Sequence, residues 1–263
     1  EGISLRDRLD ELGEQEKDGK PRTRERLELL SNLVSIAAAL AYAHERNVVH
    51  RDCTPNNILL GKRGEATLID WGIARDLDAP ALEGDARLTD PSASGRMVTI
   101  SAGTPPYLPY AQTQGRQAEP SFDVYSFGIT LYEVVSGVTP FEWRHEDSDA
   151  ARGKQLARFL EWAQSSEPAA PAMPKDSELS GIIARAIDRD ADKRFTSDQL
   201  LRALKQYLTG DLVFSHRYST TGRLARWARR HRAVTVGVVS LIAFVIAGAL
   251  VWAQLSRRAK EQA

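Results

Sequence analysis

The chain has 263 residues, 42% of them hydrophobic, and its 35 basic and 35 acidic side chains give a formal net charge of zero. That balance excludes binding to nucleic acid or another polyanion through overall charge, and the hydrophobic share excludes a chain disordered by composition. A single cysteine, Cys53, excludes an intrachain disulfide and a cysteine-rich zinc site.

From Arg24 to Glu45, the residues Leu27, Leu30, Val34, Ala37, Ala41 and His44 recur every three or four positions, which predicts an amphipathic helix burying that stripe. The stretch "RNVVHRD" then breaks the pattern. In "NNILLGKRGEATLIDWG", two short apolar runs, Ile58 to Leu60 and Ala66 to Ile69, flank a glycine-bounded "GKRG" and predict a β-hairpin. Pairing those strands would carry Asn57, at the start of the first, close to Asp70, at the end of the second. From Ala74 to Ser101 the text is polar and aperiodic, which predicts a long loop. Helical text resumes in "FDVYSFGITLYEVVSG", strongly apolar and ended by Gly137. Further helices are expected at about Ala151 to Gln164, Ser177 to Asp188 and Thr196 to Leu208, the last opening with the cap-like "TSDQ".

The run "AVTVGVVSLIAFVIAGALVWAQLS", Ala233 to Ser256, carries no charge and exceeds the roughly twenty residues needed to cross a hydrocarbon core. It predicts one transmembrane helix over 233–255. The segment 212–232 before it has no acidic residue and gathers Arg217, Arg223, Arg226, Arg229, Arg230 and Arg232. By the positive-inside rule this juxtamembrane segment, and the domain preceding it, lie on the cytoplasmic side of the inner (plasma) membrane, with 256–263 beginning a further C-terminal region.

The ordered set "HRDCTPNN", "IDWG", "GTPPYLP", "DVYSFG" and "DADKRFTS" resembles the C-terminal lobe of protein kinases, specifically the bacterial membrane-anchored Ser/Thr type, over residues 1–211. The implied fold class is mainly α, a kinase-like C-terminal lobe with a small β-hairpin, followed by the transmembrane helix. The resemblance implies that Asp52 accepts or orients the proton of a substrate hydroxyl, and that Asn57 and Asp70 hold Mg²⁺ on the phosphates of ATP. It implies packing roles for His50 and Trp71, and for Asp123 a bracing role beneath the loop backbone. Arg51 is implied to pair with a phosphorylated loop whose acceptors are Thr99 or Ser101. Thr104 is implied to sit where the substrate hydroxyl is received, and Leu59 to line the nucleotide site. The implied activity is transfer of the ATP γ-phosphate to protein hydroxyls in membrane-linked signalling. A protein substrate, the membrane and, for autophosphorylation, a second copy of the chain are its implied partners. The alternative reading is a membrane-anchored pseudokinase scaffold that binds partners without transfer.

The chain departs from the family pattern at several positions. Thr54 stands where the family has a lysine, which removes a cation from the catalytic set, and Trp71 replaces a phenylalanine. Pro109, Tyr110 and Ala111 replace a triplet ending in glutamate, so Arg194, the equivalent of that glutamate's partner, is expected to be unpaired or solvated. "EGISLRDRL" resembles the segment just after the kinase hinge. The N-terminal lobe, with its Gly-rich loop, strand lysine and helix glutamate, is thereby implied to lie outside this chain, and residues 1–263 alone are expected to be an inactive fragment.

Overall fold

Ser4 opens the first helix with a reciprocal box: its hydroxyl accepts from the Asp7 amide at 3.0 Å, and the Asp7 carboxylate accepts from the Ser4 amide. This helix, α1 (Leu5–Glu16), buries Leu5, Leu9 and Leu12, one side chain per turn. Residues 2–79, 104–114, 116–143, 149–165, 177–214, 228 and 231–261 are described in this computed structural model, which divides into two units, Glu1–His216 and Arg217–Ala263.

The predicted hairpin forms between β3 (Ile58–Leu60) and β4 (Ala66–Leu68), with Ile58 opposite Leu68 and Leu60 opposite Ala66. A two-residue strand, β1 (Ile3–Ser4), adds antiparallel to β3 and completes a three-stranded sheet in the order β1-β3-β4. A second ribbon pairs β2 (Val48–Val49) with β5 (Arg75–Asp76). The predicted loop from Ala74 therefore begins with a strand, too short to leave a periodic trace.

Helix α2 (Thr23–Glu45) forms as expected, but its buried face is rotated from the predicted stripe. Leu29, Leu30, Leu33, Ile36, Ala37, Leu40 and Ala43 are buried, whereas Leu27, Val34, Ala41 and His44 lie at the margins. The cause is packing on several sides at once, against α4 (Pro120–Ser136), α7 (Ser197–Thr209) and β4, so the apolar surface is wider than one stripe. Arg26, also buried, is satisfied by two hydrogen bonds to Glu16, at 2.9 and 2.7 Å.

Short α3 (Tyr110–Thr113) precedes α4, whose residues from Phe122 to Leu131 are all buried. Pro120 starts α4, where a missing amide hydrogen costs nothing, and Gly137 ends it in the left-handed conformation at φ 80°. A Cβ on Gly137 would also come within 3.0 Å of the Arg26 guanidinium. Gly137→Ala is expected to lower stability by about 1–2 kcal/mol through this conformational cost. The midpoint of urea unfolding checks it. Helices α5 (Asp149–Ser165), α6 (Ser177–Ala186) and α7 follow where the sequence predicted them. The "TSDQ" signal is a capping box between Thr196 and Gln199.

In the second unit, α8 (Arg232–Glu261) covers the apolar run and exposes large side chains such as Val236, Leu241 and Phe244, the last at 77%. By length and composition, however, the described helix able to cross a membrane is α2, and the apolar stretch of α8 is the shorter Val234–Ala249. That criterion does not support the predicted span at 233–255. Helix α2 meets it for a different reason: its apolar residues are long in sequence because they fill the core of the first unit.

Candidate active site

Two residues without glycine's freedom adopt left-handed backbone here, Arg51 at φ 74° and Asp70 at φ 59°. Each such conformation costs on the order of 1 kcal/mol, so neighbouring contacts must impose it. At Arg51 they come from Asp123 on α4. Its carboxylate is fully buried and accepts the amides of His50 and Arg51, both at 2.7 Å, and the His44 ring nitrogen Nε2 at 2.8 Å. At Asp70, Oδ1 accepts the Gly72 amide at 3.3 Å, a local bond of the kind that lets aspartate tolerate this region.

His50 ties the two segments together. The Asp52 amide points at Nδ1 and the Ile69 carbonyl at Nε2, 3.3 and 3.0 Å away. An amide can only donate and a carbonyl only accept, so Nδ1 serves as the acceptor and Nε2 as the donor. Trp71 packs edge-on against this ring, at 4.6 Å between centroids, and remains 40% exposed.

Asp52 is held from two sides. Asn57 Nδ2 donates to Asp52 Oδ2 and to the Asp52 carbonyl, each at 2.8 Å, while Thr104 approaches Oδ1 with its amide and hydroxyl, both at 3.3 Å. With both Nδ2 hydrogens engaged, Asn57 has its Oδ1 left to accept a cation. The Ile69 amide bonds the Asn57 carbonyl at 2.8 Å, which brings the hairpin's two ends together and sets Asp70 one residue from that contact. No described group of three or more His, Cys, Asp or Glu side chains could hold a metal ion. A Mg²⁺ ion that keeps several waters and binds phosphate oxygens needs fewer, and an amide oxygen beside an exposed carboxylate is a fitting pair of hard donors.

The other predicted residues are dispersed around this cluster. Thr54 is buried, and its hydroxyl has no hydrogen-bond partner among the described residues. Leu59 is half-buried in β3 between Ser4 and Thr67. Arg51 has Arg75 as a cationic neighbour; burial and that charge push its guanidinium below the ordinary value, against the pull of Asp123. Thr99 and Ser101 lie outside the described residues.

Arg194 corrects the expectation of an unpaired or solvated arginine. It is 5% exposed and donates to the carbonyls of Asp188, Ser121 and Arg189, at 2.6, 3.1 and 3.3 Å, with its guanidinium over the Tyr125 ring. Neutral oxygens and a π face surround it in place of a glutamate.

What sequence reasoning missed, beyond Asp123 itself, is that a buried polar stripe runs along α4. Asp123, Ser126, Thr130 and Glu133 recur at intervals of three, four and three on one face of an apolar helix, a signal the sequence does carry. Ser126 Oγ donates to the Tyr107 carbonyl at 2.8 Å, and Thr130 Oγ1 to the Cys53 carbonyl at 3.1 Å. Glu133 receives both terminal nitrogens of Arg6, at 2.8 and 3.0 Å, and the Tyr107 hydroxyl. Burial would lower the Arg6 pKa, but the bond and charge of Glu133 more than offset it, so the guanidinium is held above its ordinary value. One helix thereby fixes α1, the loop from His50 to Asn57 and the turn after Thr104.

The protein kinase domain model matches residues 8–205. The chain belongs to this family. Among curated proteins it is 32% identical over 193 residues to serine/threonine-protein kinase PknD of Protochlamydia amoebophila, covering 70% of this chain and 19% of that protein. It is 32% identical over 170 residues to serine/threonine-protein kinase pkn2 of Myxococcus xanthus, covering 62% and 18%. It is 28% identical over 202 residues to a probable serine/threonine-protein kinase PknB of Bifidobacterium longum, covering 76% and 27%. The matched segments thus span between 18% and 27% of the length of these bacterial Ser/Thr kinases.

Proposed function

We propose that the chain is the substrate-side half of an ATP-dependent protein Ser/Thr kinase, with residues 1–211 as the kinase lobe. The observation that carries this reading is the suspension of Asp52 between Asn57 and Thr104, with Asp70 brought alongside by the hairpin. In this reading Asp52 accepts the proton of a serine or threonine hydroxyl, Thr104 fixes one of its oxygens, and Asn57 and Asp70 hold Mg²⁺ on the nucleotide. Bound Mg²⁺ would supply charge neutralisation at the phosphates. Leu59 offers an apolar surface to the nucleotide, and Arg51 beside Arg75 offers cations to a phosphate on Thr99 or Ser101.

The proposal extends to the membrane. Basic residues 212–232 adjoin a run without charge from Ala233 to Ser256, and α8 turns large apolar side chains outward along that run, where lipid would cover them. The segment 233–255 is then a single span of the inner membrane, with the kinase lobe cytoplasmic and a second copy within reach for autophosphorylation.

Incubating the protein that carries the complete catalytic domain with γ-labelled ATP, Mg²⁺ and a protein acceptor tests the reading. Label on serine and threonine, in a membrane-fractionating protein, is the expected result. An absence of transfer despite a folded domain would favour the pseudokinase scaffold, with Thr54 in the lysine position as its cause.

A further inference from the structure

The guanidinium of Arg194 is a buried charge whose direct acceptors are neutral. Three backbone carbonyls and the Ser121 hydroxyl receive its hydrogens, and no described carboxylate comes within 4.0 Å of it. A buried cation without a counter-charge is costly, so the polarity of what stands behind those acceptors matters. Behind Ser121 stands an acid: its hydroxyl, 3.4 Å from Arg194 Nη1, donates its own hydrogen to Glu119 Oε1 at 2.5 Å. Glu119 precedes the first residue of α4, and Ser121 is in that helix's first turn.

We propose that Glu119, acting through the Ser121 hydroxyl, supplies the counter-charge of Arg194 and is a positioning residue for the loop from His50 to Asp52. The Arg194–Ser121–Glu119 relay fastens the segment 188–190, beyond α6, to the start of α4. Two residues beyond Ser121 lies Asp123, whose carboxylate holds the amides of His50 and Arg51. A hydroxyl that donates to a carboxylate turns its lone pairs toward a donor, and in a low-dielectric site such a chain is strengthened along its length. Burial pushes the Arg194 pKa down, while Tyr125, Glu119, Asp188 and Asp190 act in the opposite direction. Glu119 is half-buried, so its charge is screened less than that of a solvated acid. The inference's catalytic meaning rests on the kinase reading, but the positioning itself is measurable without it.

The test is amide hydrogen exchange at His50 and Arg51, followed by NMR on the 263-residue chain in detergent, for wild type, Glu119→Gln, Ser121→Ala and the double variant. Glu119→Gln keeps the size and an acceptor oxygen and removes only the charge. Exchange at both amides is expected to rise about threefold to tenfold in each single variant, and the double variant is expected to match the singles, because one relay is broken once. The melting temperature of Glu119→Gln should stay near that of wild type, which separates repositioning from unfolding. Exchange at His50 and Arg51 within about twofold of wild type in Glu119→Gln would overturn the proposal, as would fully additive effects in the double variant. Neither result depends on phosphoryl transfer, so failure of the relay and failure of the kinase reading are read in different experiments.

Discussion

Replacing Asp123 with alanine is expected to lower the stability of the first unit by about 3–5 kcal/mol, a large share of the roughly 5–15 kcal/mol that holds a domain folded. The carboxylate is fully buried and accepts the amides of His50 and Arg51 and the ring of His44. Removing it strands three donors, one buried at His50 and two part-buried at Arg51 and His44, and an unmet buried donor costs on the order of 1–3 kcal/mol. Arg51 would lose the contact that holds its left-handed backbone, and the loop carrying Asp52 would be released with it. Asp123→Asn is the sharper comparison, because it keeps the shape but places an amide group where a second acceptor was. Urea unfolding followed by circular dichroism measures both. A loss below about 1 kcal/mol for Asp123→Ala would show that α4 does not hold this loop.

Much of this arrangement was legible in the residues, for reasons that can be named. The hairpin was readable because "GKRG" separates two apolar runs of strand length, and the convergence of Asn57 with the end of the second strand follows from antiparallel pairing alone. Gly137 and "TSDQ" were readable because helix ends need particular backbone and capping chemistry. The buried face of α2 was misjudged because a helix packed against α4, α7 and β4 has no single apolar stripe to find. Arg194 was misjudged because its satisfaction comes from backbone carbonyls, which any sequence could supply, and no side-chain pattern announces them. The partnership of Arg6 with Tyr107 and Glu133 reaches more than a hundred positions along the chain, a distance no local pattern spans.

Asp70→Asn, by contrast, is expected to leave the fold within about 0.5 kcal/mol of wild type while lowering phosphoryl transfer at least about a hundredfold. Asp70 is exposed, and asparagine tolerates the same left-handed backbone and keeps the oxygen that accepts the Gly72 amide. What it loses is a negative charge one residue beyond the backbone contact between Ile69 and Asn57. Mg²⁺ is a hard cation that binds few protein ligands, and Asp70 carries the one negative charge of the Asn57–Asp70 pair, so its removal weakens the hold on both metal and phosphates. The most direct measurement is therefore single-turnover transfer from γ-labelled ATP to a protein acceptor, run in the protein that carries the complete catalytic domain, side by side for wild type and Asp70→Asn across a Mg²⁺ titration. Labelling of serine and threonine by the wild type, with little or none from Asp70→Asn at any Mg²⁺ concentration, is the predicted result; transfer by Asp70→Asn at the wild-type rate would contradict the assignment of this site.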